Sequence, residues 1–197
     1  NYSGSDSLVD VDGEPLTAFR FDQQAAKIFG MEATLDLHPH PLDWLHFENT
    51  FSLVRGMFEK PVENSSNIPF MPAPRLLTQI RADFNSVSKK IRNLYVKLEV
   101  DRYFTQNRVF TSFNTETQTP GYILYNAGMG CSVFNNKGVE RFSVAINAVN
   151  LTDEAYQNHL SRLKYTAENR ATGRSGVFNM GRNIGLKINY PLSFKWK

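Results

Sequence analysis

A two-residue alternation of apolar and polar side chains, kept over seven long runs, is the feature that most constrains this chain. In the last run, Arg182 to Leu192, the residues Ile184, Leu186, Ile188, Tyr190 and Leu192 fall on one side. Asn183, Gly185, Lys187 and Asn189 fall on the other. The run before it, Arg141 to Asn150, sets Phe142, Val144, Ile146 and Ala148 against Ser143, Ala145, Asn147 and Val149. Successive side chains of a β-strand point to opposite faces, so each run predicts a strand with one oily face and one wet face. No segment has a convincing 3.6-residue apolar period, although 162–169 is read as a turn or two of helix. The predicted class is all-β.

Five strands precede that pair. From Lys27, Phe29, Met31, Ala33, Leu35 and Leu37 oppose Gly30, Glu32, Thr34 and Asp36. From Trp44, Leu45, Phe47, Phe51 and Leu53 oppose His46, Glu48, Thr50 and Ser52. The third runs Leu76 to Phe84, the fourth Leu94 to Asp101 and the fifth Tyr122 to Phe134. Residues 1–18 are rich in Ser, Asp and Gly and read as loop or linker, leaving 19–197 as the strand-bearing segment. Connections alternate short (38–43, 85–93, 135–140) and long (56–74, 106–120, and the polar stretch after Asn150). Such spacing leaves no room for crossovers and predicts an antiparallel meander in sequence order.

The strands run about 10 to 12 residues, against a usual five or six. Length and sorted connections together fit a transmembrane β-barrel, whose strands need roughly 9 to 11 residues to cross. Aromatics near strand ends (Trp44, Tyr95, Tyr103, Phe104, Tyr122, Tyr190, Phe194, Trp196) would then form interfacial belts. A soluble sandwich or lipocalin-like barrel also alternates, with its oily face inward, and stays open at this point. In the membrane reading the polar face lines a wet lumen, carrying Glu32, Glu48, Arg81, Lys97, Glu99, Asp101 and Lys187. Both signs are present, so charges are expected to pair across strands.

Composition narrows the classes further. The chain has 197 residues, 41% hydrophobic and 21% charged, with no apolar run of the roughly 18 to 20 residues a transmembrane helix needs. A net charge of +3, with acidic and basic residues interspersed, argues against nucleic-acid binding. One cysteine, Cys131, excludes an internal disulfide and a multi-cysteine zinc site. The first residue is Asn and no signal peptide opens the sequence, so a fragment or processed product is expected. Nucleophile-elbow, His-Glu-x-x-His and phosphate-loop motifs are absent, and no catalytic residue or cofactor is assigned.

Several stretches together resemble the C-terminal part of a TonB-dependent outer-membrane receptor. Asn147-Ala-Val-Asn-Leu-Thr-Asp-Glu-Ala-Tyr156 is similar to the Asn-Leu-Thr/Phe-Asp-x-x-Tyr element on that family's penultimate strand. Ala26-Lys-Ile-Phe-Gly-Met-Glu32 resembles its recurrent Ala-x-x-x-Gly-x-Glu strand, and Arg182 to Leu192 its closing strand. Gln106-Asn-Arg-Val109, Thr119-Pro-Gly-Tyr122 and Asn158 to Lys164 are similar to a Bacteroides-like branch related to zinc and iron uptake receptors. The resemblance implies a 22-stranded barrel in the outer membrane of a Gram-negative cell, of which this chain supplies about seven strands. It also implies a plug upstream in the same polypeptide, an energy-transducing TonB complex as partner, and a metal ion or metal complex as cargo. The alternative function is a passive pore or structural barrel without a plug. One departure is the tail, where Ser193-Phe-Lys-Trp-Lys197 runs past Pro191 and leaves Phe194 or Trp196 as the terminal aromatic.

Within that frame the last long loop is the expected ligand-binding segment. It concentrates His159, Arg162, Tyr165, Arg170 and Arg174, and its basic character suits an anionic ferric chelate or an acidic lipid headgroup. His159 is read either as a metal or substrate contact or as a loop-packing residue; zinc alone would need three or four ligands. His38 and His40 are expected at the surface of a short turn. His46 faces the polar side, where a neighbouring carboxylate is its expected partner.

Overall fold

In a computed structural model of the chain, residues 2–11, 14–21 and 23–192 are described, with side chains from residue 23 onward. Ten strands form: β1 (Tyr2–Val11), β2 (Glu14–Phe21), β3 (Ala26–Leu37), β4 (Leu45–Val62), β5 (Ser65–Asn67), β6 (Arg75–Ser86), β7 (Ile91–Tyr103), β8 (Tyr122–Phe134), β9 (Glu140–Val149) and β10 (Asn183–Asn189). The main sheet has the order β10-β9-β8-β7-β6-β4-β3, with β5 paired to β4 off that path. Every neighbour is antiparallel, so the seven expected strands form the expected meander. The opening segment, expected to be loop, instead forms the two-stranded antiparallel β1–β2 sheet. Phe194 and Trp196 lie outside the described residues.

Register turns the alternation into two continuous surfaces, because directly opposed residues of an antiparallel pair share a face. Glu32 faces Ser52, Glu48 faces Gln79, Arg81 faces Lys97, Glu99 faces Asn126, Gly128 faces Asn147, and Ala145 faces Lys187. The polar set therefore lies on one side of the sheet throughout. Opposite it run Met31 and Leu53, Phe47 and Ile80, Ile80 and Leu98, Leu98 and Ala127, and Ile146 and Leu186.

In the middle strands β7 and β8 the apolar side is the more open one, while the edge strands β3 and β10 are exposed on both faces. Leu98 is 58% exposed and Met129 49%, whereas Asp101 on the other face is 7% and Leu124 6%. A soluble sandwich would show the reverse, since burial of apolar surface is what drives its folding. On that bare face the polar pair Asn49 and Thr78 satisfy each other, Thr78 Oγ1 donating to Asn49 Oδ1 at 2.6 Å. Buried apolar side chains outside the strand faces, Val109 and Phe110 with Phe58 against them, sit instead beneath the long loops.

The polar face is charge-paired, both along and across strands. Arg75 clamps Asp101 from the neighbouring strand with two bonds of 2.7 and 2.8 Å. Arg81 grips Asp83, and Lys97 reaches Glu99 at 3.3 Å, each two residues along its own strand. The expectation of pairing across strands holds for Arg75 with Asp101, while Arg81 and Lys97 pair within their own strands because long basic side chains span the i, i+2 spacing on one face. Across strands His46 also lies 3.4 Å from Asp83, and Lys27 3.3 Å from Glu59. Gly128 and Gly130 make room for these side chains. A Cβ on Gly130 would lie 2.7 Å from Tyr95 Cε1 and 2.9 Å from the Val144 carbonyl.

Two further expectations are corrected. Tyr95, Tyr103 and Tyr122 share the polar face with Lys97 and Asn126, so they are not part of an interfacial belt. Tyr95 lies under the Arg81 guanidinium at 4.5 Å, and Tyr103 stacks on Tyr122 at 4.7 Å. The strand opened by Trp44 also runs 18 residues, far into the predicted first loop. It turns back into β5 through Glu63 and Asn64, whose positive φ values of 47° and 63° suit a two-residue hairpin.

Candidate functional site

All three long connections gather at one end of the sheet, where side chains of the loops reach one another. The 104–121 loop supplies Glu116, the most enclosed ionisable group among the described residues. Its Oε1 accepts the Phe110 N–H at 2.6 Å and its Oε2 the Phe70 N–H at 3.0 Å, tying that loop to the one before β6. From the 150–182 loop, His159 Nε2 approaches Oε2 to 3.2 Å, off the axis of a hydrogen bond, while Nδ1 sits 2.8 Å from Thr119 Oγ1. Burial pushes the Glu116 carboxyl up, but His159 and the two backbone donors outweigh it and hold it below the usual carboxylate value. Three loops thus share one buried anion.

Neighbouring contacts extend the clamp. Lys164 donates to Thr119 Oγ1 at 2.7 Å and to the Thr117 carbonyl at 3.1 Å, and the Tyr165 hydroxyl accepts the Thr117 N–H at 3.1 Å. Gln106 donates to the carbonyls of Met71 and Pro72 at 2.9 and 3.0 Å. Gly176 passes over the Lys164 carbonyl at a φ of +75°, a place where a side chain would be both strained and obstructed.

The motif around Asn150 forms the foot of the last loop. Asn150, 1% exposed at a φ of 54°, donates to the Glu154 carbonyl at 2.9 Å and accepts the Glu154 N–H at 2.8 Å. Its own N–H goes to Asn126 Oδ1 on β8. Asp153 accepts the Arg182 N–H at 2.8 Å, fastening the far end of the loop to its start. These bonds give the Asn-Leu-Thr-Asp stretch a local reason, since Asn and Asp tolerate positive φ and bond nearby backbone.

Between the 104–121 and 150–182 loops lies a cavity of about 260 Å³, lined among others by Thr119, Tyr122, Glu154, Tyr156, Lys164 and Phe178. Tyr122 and Tyr156 pack with ring centroids 4.4 Å apart, continuing the stack from Tyr103. Burial, and then the Asp101 charge, raises the Tyr156 phenol above its ordinary value, so it stays a neutral hydroxyl. The cavity therefore offers an aromatic wall, a cation already shared with two threonines, and a carboxylate.

Of the residues expected to bind ligand, His159 is 3% exposed and held between Thr119 and Glu116. Arg162 lies 4.3 Å over the Phe70 ring, and Tyr165 reaches across to Thr117. Arg170 is exposed, and Arg174 lies 5.0 Å over Phe178 at the cavity's margin. The first three join loops; the last two stand further out. Among the described residues, no group of three or more His, Cys, Asp or Glu is placed to hold a metal ion. Sequence reasoning missed Glu116, Thr119 and Tyr156 as site residues, although Thr119 and Tyr156 lie inside stretches singled out for their resemblance.

No protein-family model and no curated protein matches the sequence. Among solved structures nine chains match, one of them the copper transporter OprC, at 13% identity and a TM-score of 0.73. The match covers 96% of this chain and 26% of that one, so this chain spans about a quarter of the neighbour's length. At that identity the likeness shows fold alone: an antiparallel all-β meander matching one section of a transporter several times its length.

Proposed function

We propose that the chain is the C-terminal barrel portion of a TonB-dependent outer-membrane receptor that imports a metal ion or metal complex. The observation that carries this reading is the inverted burial of the sheet. In the middle strands its apolar face is bare while Lys97, Glu99 and Asp101 on the charged face are more enclosed, on strands of 12 and 13 residues that suit a bilayer. The fold shared with a copper transporter and the motifs at Ala26–Glu32 and Asn147–Tyr156 add support. A soluble lipocalin-like protein is disfavoured by the same inversion. Upstream residues of the polypeptide would form the plug and contact the TonB complex, and lipid would cover the apolar band.

Cargo recognition belongs to the long-loop end, with the tyrosine-walled cavity and the outlying Arg170 and Arg174 as first contacts. The candidate cargoes are zinc, copper, haem or a ferric chelate. An anionic chelate predicts that binding to the full-length receptor falls on Arg170→Ala with Arg174→Ala, and falls with added salt. A bare cation predicts insensitivity to both. Uptake by cells carrying the full-length protein, with and without a functional TonB complex, tests the transport reading; equal uptake in the two strains would favour a passive pore.

A further inference from the structure

We propose a second ligand site, for a first-row divalent cation such as Zn²⁺ or Cu²⁺, between His38 and His46 at the short-turn end of the polar face. His38 lies in the turn after β3 and His46 near the start of β4, and their rings meet edge to face with centroids 4.6 Å apart. His38 Nε2 and His46 Nδ1 are 3.3 Å apart. Two imidazole nitrogens bound to one tetrahedral metal at about 2.05 Å each would stand about 3.3 Å from one another. Asp36 Oδ1 lies 3.0 Å from His38 Nε2, beside the pair but not converged with it as a third ligand.

Proton placement supports the same centre. The other nitrogen of His46, Nε2, is 3.4 Å from Asp83 Oδ2, and Asp83 is gripped by Arg81 at 2.8 to 3.0 Å. Asp83 is thus an acceptor facing Nε2, which suits the His46 tautomer with its proton on that nitrogen. His46 Nδ1 then turns a lone pair toward His38. A neutral imidazole binds a metal through one nitrogen and keeps its proton on the other, so His46 can present Nδ1 and His38 Nε2 to one ion. Carboxylate, imidazole and metal in series is a common support for a histidine ligand.

The site is open rather than a closed cage, in keeping with the absence of a converged three-ligand group among the described residues. Two imidazoles hold the ion, Asp36 stands at its edge and water completes the shell. Imidazole ligands suit zinc, copper and nickel. Solvent reaches the pair directly, His38 and His46 having 56% and 31% of their side chains exposed, and His46 and Asp83 lining an open cleft with Trp44 and Pro41.

The test is Cu²⁺ titration of the full-length receptor in detergent at pH 7.5, followed by electron paramagnetic resonance. The site predicts one Cu²⁺ with a two-nitrogen hyperfine pattern that disappears in His38→Ala/His46→Ala and reduces to one nitrogen in either single variant. Asp83→Asn keeps the pattern with affinity weaker by about 10- to 100-fold. His159→Ala, at the other end of the sheet, leaves it unchanged. Persistence of the pattern in the double variant, or its absence from the parent protein, overturns the proposal. The outcome does not depend on transport: a protein that failed every uptake assay would still show or lack this signal.

Discussion

Glu116→Ala isolates the contribution of the buried anion that joins the three loops. The change removes the acceptor for two enclosed N–H groups, those of Phe110 and Phe70, and leaves His159 facing an apolar methyl. Each buried donor left without a partner costs about 1–3 kcal/mol, so the loop cluster should lose at least about 2 kcal/mol. That corresponds to roughly 30-fold in the opening equilibrium. Amide hydrogen exchange on the full-length receptor reads it directly: Phe70 and Phe110 should exchange about 30-fold faster while β7 and β8 keep their protection. The same carboxyl sets a pH dependence. Because folding lowers its pKa, its stabilisation is complete above the ordinary carboxylate value near 4.3 and is lost as pH falls through the lower folded value. Loop protection should therefore be flat from pH 7 to about 5 and decline below about 4. Unchanged exchange at Phe70 and Phe110 in the variant would refute the clamp and return His159 to the status of a free ligand.

Other consequences follow from the two faces. Leu98→Arg places a cation in mid-strand on the bare apolar face and should cost about 2–4 kcal/mol of membrane stability, seen as loss of the heat-modifiable folded band of the full-length protein in gels. Gly130→Ala should destabilise by about 1–3 kcal/mol in urea unfolding, because its Cβ meets the Val144 backbone carbonyl at 2.9 Å. Gly128→Ala should cost less, since the atoms it meets are the ends of the Asn147 and Lys97 side chains; equal losses would contradict the register.

The meander was legible because a period of two is local: β8 runs over the residues that alternation predicted, Tyr122 to Phe134. What escaped depends on contacts distant in sequence. The 18-residue length of β4 is set by pairing of Phe58 with Ala26 and of Met57 with Asn67, which no local pattern announces. Tyr95 and Tyr122 read as belt residues because they lie near strand ends, yet parity with Lys97 and Asn126 turns them inward. Glu116 sits in a loop of Thr and Asn with nothing to distinguish it. Its role comes from Phe70 and His159, each more than 40 residues away. His46 was the easier case, since strand alternation alone placed it on the charged face, with Asp83 beside it.

The central claim, that bilayer covers the apolar face and the charged face turns from it, is tested most directly by a spin-label scan of β7. Single cysteines at 96 to 101 would be introduced into the full-length receptor in lipid, with Cys131 replaced by Ser. Collision with dissolved oxygen, which concentrates in hydrocarbon, should be high at Val96, Leu98 and Val100 and low at Lys97, Glu99 and Asp101. A scan with the opposite phase, or with no two-residue period, would contradict the account.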